Sequence, residues 1–311
     1  MQNDKAIEVS HVSKSFGPVR AVDDLSFEVM CGEIFAMLGH NGAGKTTTIR
    51  MVLDILKPDA GAIAVFGGKL DPARKDRIGY LPEERGLYRG VKVIECLTYL
   101  GELKGMRAAD AKARAVELLK RVELDDVADK KVSELSKGMQ QKAQFAAAII
   151  HRPDLLIVDE PFAALDPVNT LLVKELLYEM RDQGSAVVMS THQMHQIEEM
   201  ADRLLMIHHG RRVLYGTVDE VRRRFAINAV EVEGDGDWSA LPGVAHVERA
   251  ENGRQFTLML APGVTPDDLM RAMADSPVHH VRRFEEAIPS MTEIFIRVVQ
   301  EQGEKLNGDQ R

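Results

Sequence analysis

Apolar and polar residues alternate through AIEVSHVSKSF (6–16) and AVDDLSFEVM (21–30), the pattern of two half-buried antiparallel strands. IFAMLG (34–39) then runs almost continuously apolar, as a strand covered on both faces does. The next segment, GHNGAGKTTTIRMVLDILKP, changes period: Ile49, Val52 with Leu53, and Leu56 recur at helical spacing and Pro58 marks the stop. GAIAVFGG (61–68) reads as a further strand.

From about residue 85 to 150 the pattern is helical. VIECLTYLGELKGM, ADAKARAVELLKRVEL and KGMQQKAQFAAAII follow one another with no strand between them. DLLIVDEP and SAVVMSTH then read as buried strands around the helix LLVKELLYEMRDQG, which Gly184 closes. QMHQIEEMAD is a helix, and RLLMIHHG and RRVLYG are a strand pair around Gly210. This predicts an α/β fold: a parallel core sheet, an antiparallel β subdomain before it and an inserted helical subdomain.

After Arg224 the character changes. VEVEG, VAHVERA, RQFTLML and VHHVRRFEE are short strands, with ENG as a turn; TPDDLMRAMAD and PSMTEIFIRVVQ are helices. Residues 1–224 and 225–311 are therefore expected to be separate domains, the second a small α+β unit with a frayed polar tail, GEKLNGDQR.

Composition narrows the class without choosing the chemistry. With 45% hydrophobic and 28% charged residues the chain has a normal globular core, and 311 residues favour two domains. A net charge of -8 argues against a nucleic-acid partner. Cys31 and Cys96 lack CxxC spacing and are expected reduced and buried. No signal peptide is read at the N-terminus, and no apolar run reaches the ~18 residues that span a bilayer. His195, His208, His209, His279 and His280 are read as structural or exposed.

The chemistry concentrates at strand ends. Gly39, Gly44, Lys45 and Thr46 form G-x-x-x-x-G-K-[ST] between an apolar strand and a helix. Glycines there let consecutive backbone N–H groups wrap phosphate oxygens, Lys45 neutralises β/γ-phosphates and the Thr46 hydroxyl suits Mg²⁺. Asn41, Gly42 and Thr47 belong to the same loop. Such a loop needs a carboxylate for the metal at a neighbouring strand end: Asp159 in LLIVDEP fits, and Glu160 is placed to polarise an attacking water. LSKGMQQK (135–142) reads by itself as a helix start capped by Ser136, with Gln140 and Gln141 as exposed helix formers.

Taken in order, the P-loop, a helical insert ending in LSKGMQ, LLIVDEP, AALD and a strand ending in STH resemble the nucleotide-binding subunit of ABC transporters over residues 1 to about 220. The resemblance implies ATP as substrate with Mg²⁺, and a homodimer or paired ATPase arranged head to tail. In it Ser136 and Gly138 of the signature motif reach the γ-phosphate held by the other subunit. It implies that Phe16 stacks on adenine, that His192 contacts the γ-phosphate, and that Asp166 lies on the loop crossing the dimer interface. Three residues depart from the family's usual pattern. Glu83 stands where a Gln senses Mg²⁺ and the attacking water, Lys137 replaces a Gly, and Met139 replaces a Gln.

GYLPEERGLY with LSKGMQQK resembles the ATPases of type-2 ABC exporters, similar to sodium-export and drug-resistance ATPases. That implies a separate transmembrane permease docked near 84–89, and a place on the cytoplasmic face of the membrane. Two other classes are open: a non-transport ABC ATPase in translation or chromosome maintenance, and a regulatory or assembly module that uses ATP only to dimerise.

Overall fold

The computed structural model describes residues 4–84, 86–250 and 254–308. The chain separates into two compact units, Met1–Val218 and Asp219–Arg311.

The first unit begins with β1 (Lys5–Phe16) and β2 (Val19–Met30), which pair antiparallel; β3 (Ile34–Leu38) leads into α1 (Lys45–Val52). β4 (Ala60–Val65) returns to β1 and completes a three-stranded antiparallel sheet. After α2 (Pro72–Lys75) and β5 (Ile78–Leu81) come the helices of the insert, α3 (Val93–Leu103), α4 (Ala108–Arg121) and α5 (Lys137–Ile149). The chain then alternates β6 (Leu155–Asp159), α6 (Pro167–Asp182), β7 (Ala186–Ser190), α7 (Met194–Met200) and β8 (Arg203–His208), and closes with β9 (Arg211–Thr217). The core sheet has the order β5-β6-β7-β3-β8-β9, parallel except for the β8–β9 hairpin.

Every residue of β3, β6 and β7 is buried, because the sheet is covered on both faces. Alternate side chains serve the two layers, as a period of two requires. In β6, Leu156 and Val158 pack with Leu97, Leu118 and Phe145 of the helical insert. Leu155 and Ile157 point the other way, into a core with Ile7, Leu25 and Phe27 of the antiparallel sheet. Each such fully buried apolar side chain stabilises the fold by ~1.5–3 kcal/mol.

α1 stops at Val52, short of the Pro58 suggested by periodicity, because the chain turns at Asp54 with φ 59°. Of the two cysteines, both free, Cys96 is buried but Cys31 is exposed in the turn after β2, contrary to the expectation for both.

The second unit includes nearly all of α8 (Val218–Phe225), whose Arg222 donates to the carbonyls of Ile288 and Pro289. It holds β10 (Ala229–Asp235), β11 (Val244–Arg249), β12 (Gln255–Leu260), α9 (Pro266–Ala274), β13 (His280–Glu286) and α10 (Met291–Gly308). Its antiparallel sheet, β11-β12-β10-β13, packs Val230, Val232 and Leu258 with Trp238, Leu269 and Met273. The ENG turn lies outside the described residues. Within the polar tail expected to be frayed, α10 runs on to Gly308, and the last three residues lie outside the described ones.

Candidate active site

The P-loop leaves the buried strand β3 and enters α1, and its glycines are there for space as much as for rotation. Gly39 has φ 153°, and a Cβ on it would lie 2.4 Å from the carbonyl oxygen of Ile207. Gly44 has φ 111°, and a Cβ there would lie 2.4 Å from the carbonyl oxygen of Ala21. Lys45 is buried, and its Nζ donates to the carbonyl oxygens of Gly39 (2.6 Å) and His40 (3.3 Å). The lysine thus folds back over its own loop.

A cavity of about 310 Å³ opens beside this loop. Asn41, Gly42, Gly44, Lys45, Thr46 and Thr47 line it, and Glu83, Asp159, Glu160 and His192 reach it from three other segments. Strand register explains part of the convergence: β6 pairs with β7 so that Asp159 sits opposite Ser190, which puts Glu160 and His192 just beyond the same sheet edge. Oε1 of Glu160 is 2.6 Å from Nδ1 of His192 and accepts the His192 backbone N–H at 3.1 Å. The Thr191 hydroxyl donates to the other Glu160 oxygen at 3.3 Å. Glu160 holds this position with φ 51°, in the left-handed region, while its own N–H donates to the Ser190 carbonyl.

The Thr46 hydroxyl donates to Oδ2 of Asp159 at 3.4 Å, a pair of hard oxygen donors suited to Mg²⁺. Burial pushes the Asp159 carboxyl up from its ordinary value; the Ser190 hydroxyl opposes that, and the nearby Glu83 and Glu160 add to it. Burial likewise holds the Lys45 ammonium below its ordinary value, against the pull of Glu160, Asp159 and Glu83. Three carboxylates therefore face one ammonium in this cavity. A triphosphate entering it requires further positive charge, and a divalent cation on Thr46 and Asp159 meets that requirement.

Four candidate residues from outside the P-loop do not line the cavity. Phe16 ends β1 with 49% of its surface exposed, and the Lys14 ammonium stands 5.8 Å from its ring centre. Ser136 caps α5 by accepting from the Met139 N–H at 3.3 Å, and is exposed. Gly138, two residues on, is near AALD: a Cβ there would meet the carbonyl oxygen of Ala164 at 3.4 Å. Asp166 caps α6 by accepting from Asn169, whose backbone and side-chain donors hold the Asp166 carboxyl below its ordinary range.

Two residues that tie these segments together escaped the sequence reading. Gln141, read as an exposed helix former, is buried and donates to the carbonyl of Pro161, next to Glu160. Gln144 is equally buried and donates to the carbonyls of Pro82 (3.3 Å) and Glu84 (3.1 Å), on either side of Glu83. A lone amide inside the apolar run AQFAAAII is the signal that marks Gln144: a polar group there must find a partner.

Comparison with known proteins now decides the family. Residues 22–163 match the family model described as ABC transporter, and residues 216–299 match the C-terminal domain of DrrA1-3-like ATP-binding proteins. The chain is 33% identical to the daunorubicin/doxorubicin resistance ATP-binding protein DrrA of Streptomyces peucetius, over 95% of this chain and 92% of that one. The chain belongs to the ABC transporter ATP-binding proteins. It is also 41% identical to the Nod factor export ATP-binding protein I of Paraburkholderia xenovorans, over 68% of this chain and 70% of that one. A solved structure of an ATP-binding subunit of an ABC transporter superposes with a TM-score of 0.67 at 32% identity, covering 71% of this chain and 93% of the other. Like its family, this ABC protein is an ATPase, with the core fold of an ABC cassette and an added C-terminal domain.

Proposed function

We propose that this chain hydrolyses MgATP to drive export of a substrate through a separate membrane permease, as one of a head-to-tail pair of ATPase subunits on the cytoplasmic face. The observation that carries the reading is the position of one loop. Glu83 lines the nucleotide cavity, while Pro82, Gly86 and Leu87 line a second, apolar cavity of about 440 Å³ with Leu53, Leu70 and Leu103. A partner seated in the apolar cavity and a phosphate in the polar one would press on the same few residues. Gln144 anchors that loop to α5, the helix that Ser136 begins.

The placements above support a role for each residue in this reading. The P-loop amides and Lys45 bind the β/γ-phosphates. Thr46 and Asp159 would hold Mg²⁺, which would supply positive charge against the phosphate oxygens. Glu160 takes the proton of the attacking water, and His192 fixes the orientation of its carboxylate. Glu83 faces the same space with a carboxylate instead of an amide, so it adds a further oxygen ligand near the metal and negative charge near the triphosphate. Phe16 offers an exposed aromatic face for adenine. Ser136 and Gly138 are exposed or half-exposed and lie outside the cavity, so they are free to complete the site of a partner subunit. Asp166 stiffens the start of α6 beside that contact. No helix among the described residues is long and apolar enough to cross a membrane.

The reading is tested by affinity purification of the full chain from detergent-solubilised native membranes. Recovery of a multi-span membrane protein in stoichiometric amount supports it; recovery of ribosomes or DNA alone overturns it.

A further inference from the structure

Beside the nucleotide cavity, three imidazoles converge. His40 is the second residue of the P-loop, and His208 and His209 lead into the β8–β9 turn. One possible ligand nitrogen from each lies within 4.8 Å of the other two, and no carboxylate or thiol joins them among the described residues. Ring centres are 5.1 Å apart for His40–His208, 5.3 Å for His40–His209 and 4.3 Å for His208–His209.

Edge-to-face packing accounts for the ring angles, but not for the nitrogen atoms. His208 is 9% exposed, and its Nδ1 is buried with no hydrogen-bond partner. Such an atom destabilises the fold unless something else satisfies it. His40 shows the complementary arrangement: its Nδ1 is 2.7 Å from the Asn41 carbonyl oxygen. That contact places the proton on Nδ1 and leaves Nε2 with a lone pair, the usual way a backbone carbonyl orients a metal-binding imidazole. His209 has φ 46° and Gly210 φ 75°, the signs of a type I′ hairpin turn. The turn is fastened to the P-loop, because the Gly210 N–H donates to the Ala43 carbonyl at 2.9 Å.

We infer that His40, His208 and His209 form a binding site for a borderline divalent metal ion of the zinc class. Imidazoles suit Zn²⁺, Ni²⁺ and Cu²⁺, whereas Mg²⁺ demands oxygen. In a tetrahedral site with Zn–N of about 2.1 Å the ligating nitrogens are roughly 3.4 Å apart. Rotation of exposed or half-exposed rings closes that gap from 4.8 Å, and water takes the fourth position. Occupancy would tie the P-loop to the β8–β9 hairpin. It would also restrain the loop whose His40 carbonyl accepts from Lys45.

The test uses the full chain without a polyhistidine tag, in millimolar Mg²⁺, with Zn²⁺ competed against a chromogenic chelator. One Zn²⁺ per chain is expected, with affinity falling on the order of 100-fold in His208→Ala and in His209→Asn. Asn tolerates the positive φ at 209, so that variant keeps the turn. Zn²⁺ should also raise the thermal midpoint of the wild type and of Cys31→Ser, but not of His209→Asn. Three results would overturn the assignment: no stoichiometric binding, binding that survives in both histidine variants, or binding that is lost in Cys31→Ser.

Discussion

Glu160 and His192 are joined twice, by a 2.6 Å contact between Oε1 and Nδ1 and by the His192 backbone N–H on the same oxygen. The carboxylate is thereby fixed in direction, while most of the His192 side chain remains exposed to whatever enters the cavity. Asp159, one residue earlier, faces Thr46 instead. Adjacent acids on one strand end are thus turned to different tasks.

Glu160→Gln keeps an oxygen for the His192 N–H and removes the carboxylate proposed as the base. MgATP hydrolysis should fall by ~10²–10⁴-fold, the range of a lost general base. MgATP affinity, by fluorescent nucleotide titration, should change less than a few-fold, and ATP should convert the variant to a dimer on size exclusion. Wild-type turnover in this variant would remove Glu160 from the chemistry.

Gly39→Ala tests the backbone cradle. The added methyl would sit 2.4 Å from the Ile207 carbonyl oxygen, and φ 153° is a conformation alanine avoids. The loop must shift, at a cost of about 1–3 kcal/mol in strain. Nucleotide affinity should drop at least ~10-fold, with a lower thermal midpoint; calorimetric titration showing unchanged affinity would mean the observed loop shape is not the binding one.

How far the sequence led depends on whether a feature is local. Alternation predicted β1 and β2, and the buried runs predicted β3, β6 and β7, because strand period and burial are written in adjacent residues. The strand-end motifs placed Asp159, Glu160 and His192 correctly enough for the structure to bring them to one cavity with the P-loop and Glu83. What was not legible is tertiary. Gln141 reads as a surface amide until the carbonyl of Pro161 appears beside it, and the partners of Gln144, the carbonyls of Pro82 and Glu84, lie some 60 residues away. The three histidines 40, 208 and 209 are 168 or more residues apart along the chain on one side and adjacent on the other, so only the fold shows them as a cluster. The exposure of Cys31 and the extension of α10 were likewise outside what residue type and period convey.

Gln144→Glu tests the tie between α5 and the Glu83 loop. The substitution keeps size but sets a carboxylate against two backbone carbonyls, leaving buried acceptors unpaired at about 1–3 kcal/mol. MgATP affinity should stay within about threefold, because Gln144 does not line the nucleotide cavity. Turnover should fall several-fold. Equal loss of binding and turnover would indicate general unfolding of the site, and no loss of either would show that the tie carries no coupling.

His151 gives the fold a pH dependence whose sign follows from its surroundings. Burial, with the Lys104 ammonium nearby, pushes the imidazole from 6.5 down to about 4, while its Nε2 lies 3.1 Å from the Ile78 carbonyl oxygen. The unfolded chain binds the proton first, so this group's contribution is intact above about pH 6.5 and is lost as pH falls from there toward 4. The full loss is at most ~3 kcal/mol. Urea midpoints at pH 7.5 and pH 5 should therefore differ more in the wild type than in His151→Gln; an equal difference would assign the acid sensitivity to other groups.

The central claim, that the catalytic site is completed by a second subunit, is tested most directly by mixing two inactive variants. Lys45→Ala removes the phosphate-binding ammonium, and Ser136→Arg blocks the face offered to the neighbour while leaving its own cavity intact. A head-to-tail mixed dimer pairs both defects in one site and leaves the other site whole. Each variant alone should be inactive, and an equimolar mixture should recover up to roughly a quarter of wild-type MgATP turnover, since half of randomly formed dimers are mixed and each has one good site. A mixture as inactive as its components, with both variants folded and ATP still bound by isolated Ser136→Arg monomers, would contradict the account.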